Sequence, residues 1–186
     1  MALPANITAR DVSGKYSYNV PLSTPSALEK LFSLVGPELN PIKAKSSDSS
    51  VTTLKHYEEA GVEYLDVLYS NTDNKRCKRP LQWKEDTLDD PFLGPLIFKA
   101  RRINPKELKD SIFQKEWEES TRERGVVEAV YVSDTVKSGK NWTGHLATGI
   151  ADIDGQRRLV RACKFSGLKA LETFDMTIVY DYVGPL

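Results

Sequence analysis

Alternating apolar and polar residues recur along most of the chain and predict a protein made mainly of short β-strands. The clearest run covers residues 173–183, where alternate positions carry large apolar or tyrosine side chains: Phe174, Met176, Ile178, Tyr180 and Tyr182. Successive side chains of a strand point to opposite faces, so these residues are predicted to face the core. Similar runs predict strands at residues 14–20, 51–58, 62–69, 96–103, 126–133, 142–153 and 156–165, about eight to ten strands in total.

One helix is predicted near the start of the chain, directly after the first strand. Its apolar residues have the spacing of a helix with one buried face: Leu28, Leu31, Phe32 and Val35. Thr24 and Pro25 suit its first turn, and Gly36-Pro37 would end it. Many antiparallel strands with one early helix favour a closed β-barrel in which the helix acts as a lid. We therefore predict one domain over residues 1–186, with residues 1–12 as a flexible arm.

The pair Asp154-Gly155 separates two long runs and is a strong signal for a two-residue hairpin turn. With that turn, Ile153 pairs with Gln156, and the register of the whole hairpin follows. One face then carries mostly apolar residues and is predicted to be the core face: Trp142, Gly144, Leu146, Thr148, Ile150, Leu159, Arg161, Cys163 and Phe165. His145 lies on the opposite face and is predicted to point out of the barrel. A slip of one residue would exchange the two faces, so both predictions depend on the turn.

Arg161 is a charged residue on this predicted core face. A guanidinium among apolar neighbours needs a partner, because it keeps its charge in a protein. One interpretation is an internal ion pair, for which Asp66, Glu116 and Glu128 are candidates. The other interpretation is that Arg161 binds an oxygen atom of a ligand inside the barrel.

Tyrosines on the first and last predicted strands form a second group of candidate site residues. Tyr180 and Tyr182 share the inward face of the last strand, and Tyr16 and Tyr18 occupy alternate positions on the first. A fully packed core rarely holds so many tyrosines, because each buried hydroxyl needs a hydrogen-bond partner. The pattern suits a cavity for a small, mostly apolar molecule with a few oxygens. Alternatively, the hydroxyls reach the rims of the barrel and contact water.

Composition narrows the range of partners and cofactors. The 186 residues include 26 basic and 26 acidic side chains, and this neutrality argues against nucleic acid as a partner. No apolar run approaches the roughly 18–20 residues that span a membrane, and the N-terminus lacks the pattern of a secretory signal. Cys77 and Cys163 are predicted to be free thiols in the cytoplasm. With only His56 and His145, and no nucleotide-binding motif, we expect neither a metal nor a cofactor.

Two charged runs lie in predicted loops. Residues 75–79 are rich in lysine and arginine, and residues 85–90 are rich in glutamate and aspartate. We interpret both runs as solvated loops, because charge runs outside periodic segments usually face water. Mutual attraction between the two runs and, less favoured, phosphate binding by the basic run are the alternatives.

A set of short motifs is spread over most of the chain. They are Ser13-Gly14-Lys15-Tyr16, Asp90-Pro91-Phe92-Leu93-Gly94, the strand that begins at Trp142, Gly155-Gln156-Arg157-Arg158 leading to Arg161, and Ile178-Val179-Tyr180-Asp181-Tyr182-Val183-Gly184. With the early helix, these motifs resemble the calycin superfamily of lipocalins and fatty-acid-binding proteins. The resemblance is closest to small lipocalin-like proteins of filamentous fungi.

The resemblance implies a β-barrel with an internal cavity for a hydrophobic ligand. In fatty-acid-binding proteins, a buried arginine on a late strand and an Arg-x-Tyr motif on the last strand bind a carboxylate. Arg161 matches the first arginine, and Tyr182 matches the tyrosine, whereas Tyr180 stands where the second arginine would be. Some lipocalin-like barrels of fungal and bacterial biosynthesis act as cofactor-free cyclases or isomerases, which fold a reactive polyene or quinone-type intermediate for a pericyclic step.

Two hypotheses about function follow. The first is a cofactor-independent cyclase or isomerase of secondary metabolism that promotes a pericyclic reaction, for example of the Diels–Alder type. Its hydrogen-bond donors would be Arg161, Tyr180 and Tyr182. The second is a non-catalytic carrier of a small lipophilic ligand such as a fatty acid.

Both hypotheses place a hydrophobic small molecule in the barrel and expect a monomer or homodimer without nucleic-acid or membrane partners. The residues predicted to contact this molecule come from several strands and include tryptophans as stacking walls. They are Trp142, Trp83, Tyr16, Tyr18, Thr148, Leu146, Phe98, Arg102, Met176 and Phe174.

Overall fold

The computed structural model describes residues 1–35, 51–69, 76–167 and 173–186. Within these ranges the chain forms ten β-strands and three short α-helices. In chain order they are β1 Gly14–Tyr18, α1 Ala27–Val35, β2 Val51–Glu59, β3 Val62–Tyr69, β4 Arg76–Cys77, β5 Asp86–Asp90, β6 Gly94–Ile103, α2 Glu119–Arg124, β7 Val126–Ser133, α3 Thr135–Ser138, β8 Trp142–Ile153, β9 Gln156–Gly167 and β10 Phe174–Gly184. No helix in the described ranges is long and apolar enough to cross a membrane.

The ten strands form one antiparallel sheet that curls into a nearly closed barrel. Their order across the sheet is β4-β3-β2-β1-β10-β9-β8-β7-β6-β5. The last strand, β10, pairs with both β9 and β1, so the two ends of the chain meet within the sheet. The prediction of a mainly β, antiparallel barrel with few helices is confirmed.

The register predicted for the hairpin of β8 and β9 is also confirmed. Ile153 pairs with Gln156, Thr148 with Arg161, and the ladder continues without a shift to its far end. Asp154 and Gly155 both have positive φ angles, 53° and 73°, as a tight two-residue turn of this kind requires. The predicted core face therefore points into the barrel.

Two apolar clusters fill the two ends of the barrel interior. The helix-end cluster, which includes α1, contains Leu31, Phe32, Val35, Leu96, Phe98, Ala100, Ala129, Tyr131, Trp142, Leu146, Cys163, Phe165, Met176 and Ile178. The arm-end cluster contains Leu3, Ile7, Val12, Tyr16, Leu54, Leu65, Val67, Cys77, Val127, Ile150 and Leu159. Along the hairpin, Thr148 and Arg161 lie between these clusters, because their inward neighbours on either side belong to different ones.

Helix α1 covers one end of the barrel with the apolar face that its sequence predicts. Its start differs from the prediction, because the helix begins at Ala27 and Ser26 has a positive φ of 55°. Thr24 does not cap the helix but accepts a hydrogen bond from the backbone N–H of Thr177 on β10 (2.8 Å). The predicted end at Gly36-Pro37 lies outside the described residues.

Residues 1–12, hereafter the N-terminal arm, pack against the other end of the barrel, although their composition indicated a flexible arm. Leu3, Ile7 and Val12 are buried in the arm-end cluster. Arg157 fastens the arm from β9, since its guanidinium donates to the carbonyl oxygens of Pro4 (3.0 Å) and Ile7 (2.7 Å). Spaced apolar residues thus bury the arm even though it forms no regular strand.

A polar cluster under the arm joins it to three strands. The backbone N–H of Val12 donates to Nδ1 of His56 (3.3 Å), so Nε2 of His56 carries the proton and donates to Glu63 (2.7 Å). Arg102 donates to Glu63 (2.8 Å) and to the carbonyl oxygen of Ala9 (2.7 Å). Burial raises the pKa of Glu63, but these hydrogen bonds and charges outweigh burial and lower it to about 2.

The outer face of β8, β9 and β10 is covered by residues 104–125, hereafter the outer strap. The buried residues of this interface are Leu108, Phe113, Trp117, Val126, Ala147, Ala151, Val160, Ala162 and Val179. Small residues on the strands let the strap approach closely: a Cβ atom on Gly149 would lie 2.7 Å from Cγ2 of Thr121 and 3.1 Å from the ring of Trp117. His145 lies on this outer face, as the register predicts, with Nε2 2.9 Å from Glu128.

The prediction that both charged runs are solvated loops is wrong in part. Arg76 and Cys77 form β4, and Asp86–Asp90 forms β5. Arg79 and Asp90 are buried, with 6% and 1% of their surfaces exposed. They form an ion pair of 2.8 Å inside the barrel, which satisfies both charges. Lys75 lies outside the described residues.

Candidate functional site

A cavity of about 120 Å³ lies inside the barrel beneath α1. This volume is of the order of an enclosed cavity that holds benzene, and because the cavity is partly open to solvent, a longer molecule can extend beyond it. Its lining is mainly apolar and combines α1, the turn between β5 and β6, Arg79 after β4, and six strands. The lining residues are Tyr18, Leu28, Leu31, Phe32, Val51, Thr52, Arg79, Phe92, Leu93, Tyr131, Leu146, Arg161, Cys163, Phe165, Ile178 and Tyr180.

A smaller recess continues this cavity toward the arm end of the barrel. It shares Arg79, Tyr131, Leu146 and Arg161 with the main cavity and adds residues of β3, β6, β7 and β8 together with Leu81, which precedes β5. The added residues are Leu65, Leu81, Phe98, Ala100, Val127, Ala129 and Thr148. The two spaces therefore meet at a layer of polar side chains halfway along the barrel.

Arg161 contributes one of the two guanidinium groups in this layer. Its Nε donates to Oγ1 of Thr148 (3.3 Å), and its guanidinium carbon lies 5.8 Å from the ring centre of Tyr180. Arg161 is half-buried and lines both spaces.

The carboxylates named as candidate partners of Arg161 have other contacts. Asp66 accepts hydrogen bonds from Arg76 (2.6 Å) and from the hydroxyl of Tyr57 (3.0 Å). Glu128 is bound by Arg101 (2.7 Å), and Glu116 is exposed on the outer strap. None of these three carboxylates is thus seen bound to Arg161, whose side chain lines the cavity.

Arg79 contributes the second guanidinium, which the sequence did not suggest as a site residue. It donates to Asp90 through Nη2 (2.8 Å) and to the hydroxyl oxygen of Tyr131 through Nη1 (2.9 Å). Asp90 in turn accepts from the backbone N–H groups of Phe92 (2.9 Å) and Leu93 (3.1 Å). The motif Asp90-Pro91-Phe92-Leu93-Gly94 therefore holds a buried carboxylate that orients Arg79.

Two ionisable groups beside Arg161, the thiol of Cys163 and the hydroxyl of Tyr180, are held in their neutral forms. Burial raises the pKa of the Cys163 thiol to about 12, although the charges of Arg161 and Lys115 oppose this shift. Burial likewise raises the pKa of Tyr180, against the opposing charges of Arg161 and Arg79. The cavity therefore offers neutral hydroxyl groups and two cations, a combination that can donate hydrogen bonds to an oxygen atom of a ligand.

The structure brings six of the predicted site residues together. Tyr18, Leu146, Arg161 and Tyr180 line the main cavity, while Phe98 and Thr148 line the recess. They converge because β6, β8, β9 and β10 are consecutive or nearly consecutive in the sheet and β1 follows β10.

The other predicted site residues lie elsewhere. Trp142 and Met176 are fully buried in the helix-end cluster, where Phe174 stacks on Phe165 with ring centres 5.8 Å apart. Tyr16 and Tyr182 pack edge to face in the arm-end region (5.7 Å).

Two further predicted residues serve other parts of the fold. Trp83 lies outside the barrel beside the guanidinium of Arg101 (4.0 Å). Arg102 belongs to the polar cluster under the arm.

A period-two pattern could have identified Arg79 from the sequence. In Arg76-Cys77-Lys78-Arg79, Cys77 and Arg79 occupy alternate positions, and both are buried whereas Arg76 and Lys78 are exposed. Because the segment is short and mostly basic, its residue types do not reveal which positions are buried and which are exposed.

The part of the chain that the structure describes contains no group of three or more His, Cys, Asp or Glu residues that could hold a metal ion.

No known protein-family profile matches the chain. The chain is similar to a curated protein of Mollisia scopiformis named "Probable pericyclase scpY". The two are 26% identical over 199 aligned positions, which cover 99% of this chain and 96% of that protein. The similarity is distant, and it extends over almost the whole length of both chains.

Proposed function

We propose that this protein is a cofactor-independent cyclase or isomerase of secondary metabolism that promotes a pericyclic reaction of a hydrophobic small molecule. The reaction would take place in the barrel cavity, and a Diels–Alder cycloaddition is the version to test first. The similarity to a probable pericyclase along the whole chain supports this proposal, and so does an apolar cavity with a layer of hydrogen-bond donors.

The physical demands of such a reaction match the cavity. In a Diels–Alder step, the electrons of a diene and an alkene form two new carbon–carbon bonds, and no atom enters or leaves. The protein has only to fold a flexible chain so that the reacting ends meet and to polarise a carbonyl group conjugated with the alkene. The apolar residues of α1 and of the turn between β5 and β6 supply the shape, and the polar layer supplies the donors.

The observation that carries the proposal is the position of Arg161. Its guanidinium lines the cavity between the two clusters, and its central carbon lies 5.8 Å from the ring centre of Tyr180, whose hydroxyl is neutral. A cation and a hydroxyl in this position can stabilise negative charge that develops on a carbonyl oxygen during the reaction.

The test is incubation of the purified protein with linear polyenyl ketones that carry a diene and an unsaturated ketone in one chain, beginning with a decatrienone. We expect faster cyclisation than in buffer and one dominant stereoisomer, measured by chiral chromatography. Arg161→Ala and Tyr180→Phe should slow the reaction more than they weaken binding. Tyr64→Phe is the matched control, because Tyr64 stacks on Tyr57 outside the barrel. Binding without acceleration would contradict the proposal and favour a carrier.

A further inference from the structure

The hydroxyl group of Tyr131 is a buried donor at the centre of the cavity. Tyr131 lies on β7, has only 3% of its surface exposed, and lines both the main cavity and the recess. Its ring packs in a T-shaped arrangement with that of Phe98, with ring centres 6.5 Å apart, so packing restricts its orientation. Nothing in the sequence singled out this residue.

Tyr131 is oriented by a chain of charged hydrogen bonds that begins in a turn. The backbone N–H groups of Phe92 and Leu93 hold Asp90, Asp90 holds Nη2 of Arg79, and Nη1 of Arg79 donates to the hydroxyl oxygen of Tyr131. The backbone N–H of Arg79 also donates to Asp66 (3.1 Å), which fixes the start of the side chain. The phenol oxygen therefore receives a hydrogen bond from a guanidinium that Asp90 holds, while Asp66 holds the backbone of the same arginine.

The direction of this hydrogen bond decides what Tyr131 can do. A phenol has one proton to donate, and a guanidinium has no acceptor, so the proton of Tyr131 points away from Arg79. Among the described residues, none accepts a hydrogen bond from this hydroxyl. A buried donor without an acceptor is unfavourable, and hydrogen bonds in series strengthen one another. The hydroxyl is thus a polarised donor that faces the cavity.

We propose that Tyr131 binds the carbonyl oxygen of the ligand through its hydroxyl, with Arg79 and Asp90 as positioning residues. This inference rests on the proposed function and defines the substrate class as unsaturated molecules with a conjugated ketone. The carbonyl would lie in the polar layer, where Arg161 lines the same space, and the apolar part would extend toward α1. The donation would withdraw electron density from the conjugated alkene and so prepare it for cycloaddition.

The experiment uses benzylideneacetone, a small conjugated ketone, and phenylbutene, in which a methylene replaces the carbonyl. Binding of both is measured by calorimetry, and the carbonyl stretch of bound benzylideneacetone is isolated by infrared difference between its carbon-13 and carbon-12 forms. We expect the stretch in the wild type to be lower than in hexane, because a hydrogen bond weakens the carbonyl bond. In Tyr131→Phe, the carbonyl stretch should shift toward its value in hexane, and binding of benzylideneacetone should weaken about three- to tenfold. Binding of phenylbutene should be unchanged.

Two controls keep the test decisive. Tyr64→Phe removes a hydroxyl outside the barrel and should leave both measurements unchanged. If Tyr131→Phe does not fold, fluorotyrosine placed at position 131 keeps the shape and makes the hydroxyl a stronger donor. It should lower the carbonyl stretch further. An unshifted carbonyl band in the wild type, an unchanged band in the variants, or no binding of the ketone would overturn the inference.

The outcomes also separate this inference from the proposed function. A shifted carbonyl band without any acceleration of decatrienone cyclisation would support the role of Tyr131 and contradict the cyclase. If the protein accelerates decatrienone cyclisation but Tyr131→Phe leaves the carbonyl band unchanged, the result would support the cyclase and overturn the role of Tyr131.

Discussion

The two faces of the β8–β9 hairpin are built in opposite ways. The inner face carries Leu146, Thr148, Arg161 and Cys163, and it borders a cavity. The outer face carries alanines and Gly149, and it packs so closely against the outer strap that an added Cβ atom would collide.

This difference shows how a small barrel can be stable and still enclose empty space. Around the cavity, side chains of the inner face do not meet across the barrel, so their contacts are incomplete there, and empty space reduces stability. The outer strap supplies close packing on the reverse side of the same strands. We therefore expect substitutions on the outer face to change stability, and substitutions on the inner face to change ligand binding.

The largest loss of stability is expected for Trp117→Ala on the outer strap. Trp117 is 4% exposed, and its indole N–H donates to the carbonyl oxygen of Phe113 (3.0 Å). Removing this side chain should lower the free energy of unfolding by about 3–5 kcal/mol, measured by denaturant titration. Trp83→Ala is the control, because Trp83 lies half-exposed outside the barrel, and its effect should be much smaller. Equal losses of unfolding free energy in Trp117→Ala and Trp83→Ala would contradict the claim that the outer strap stabilises the fold by close packing.

The next effect concerns pH and the polar cluster under the N-terminal arm. The pKa of Glu63 is lowered to about 2 from an ordinary value of 4.5, so its carboxylate stabilises the fold above about pH 4.5. This stabilisation is lost as the pH falls from 4.5 toward 2, and it should amount to about 2–3 kcal/mol. Unfolding measured at several pH values should show this slope in the wild type. If a Glu63→Gln variant shows the same dependence of unfolding free energy on pH, Glu63 is not its source and the prediction is contradicted.

A smaller loss is expected for Gly149→Ala, which tests the close approach on the outer face directly. The new methyl group would have to displace Thr121 or Trp117 and should lower the free energy of unfolding by about 1–3 kcal/mol. Gly184→Ala is the matched control, because a Cβ atom there would meet no atom within 4 Å. The melting temperatures of the two variants are measured by thermal unfolding. Equal melting temperatures would show that the outer strap can move to accommodate the methyl group at little cost.

The smallest effect on stability is expected for Arg161→Met on the inner face. Methionine has a similar length without the charge, and replacing a half-buried cation by an apolar group should change stability by less than about 1 kcal/mol. Binding of benzylideneacetone should nevertheless weaken, since a donor in the polar layer is lost. A large loss of stability with unchanged binding would assign Arg161 a structural role.

The sequence predicted those parts of the fold that depend on local periodicity. A single turn, Asp154-Gly155, set the register of 24 strand residues and placed Arg161 in the barrel. Alternation cannot show what covers the outer face, because the strap contacts β8 through irregular backbone, such as the N–H of Glu118 and the carbonyl of Ile150 (2.9 Å).

The site was predicted less completely than the fold. Tyr18, Arg161 and Tyr180 lie on long strands whose alternation is clear, whereas Arg79 follows a two-residue strand and pairs with an acid 11 positions later. Tyr131 faces the cavity from β7, where apolar residues occupy both faces and show no clear alternation, so the sequence did not indicate which way its side chain points. Residues that act through partners distant in the chain need the structure to identify them.

The central claim is that the inner face of the hairpin binds and activates a ligand while the outer face stabilises the fold. The most direct measurement is the single-turnover rate of decatrienone cyclisation with the protein in excess, for the wild type, Arg161→Met and Gly149→Ala. We expect Arg161→Met to lower this rate about tenfold or more, and Gly149→Ala to leave it within about twofold despite its lower stability. Rates that fall in proportion to stability, or an absence of cyclisation above the rate in buffer, would contradict the claim.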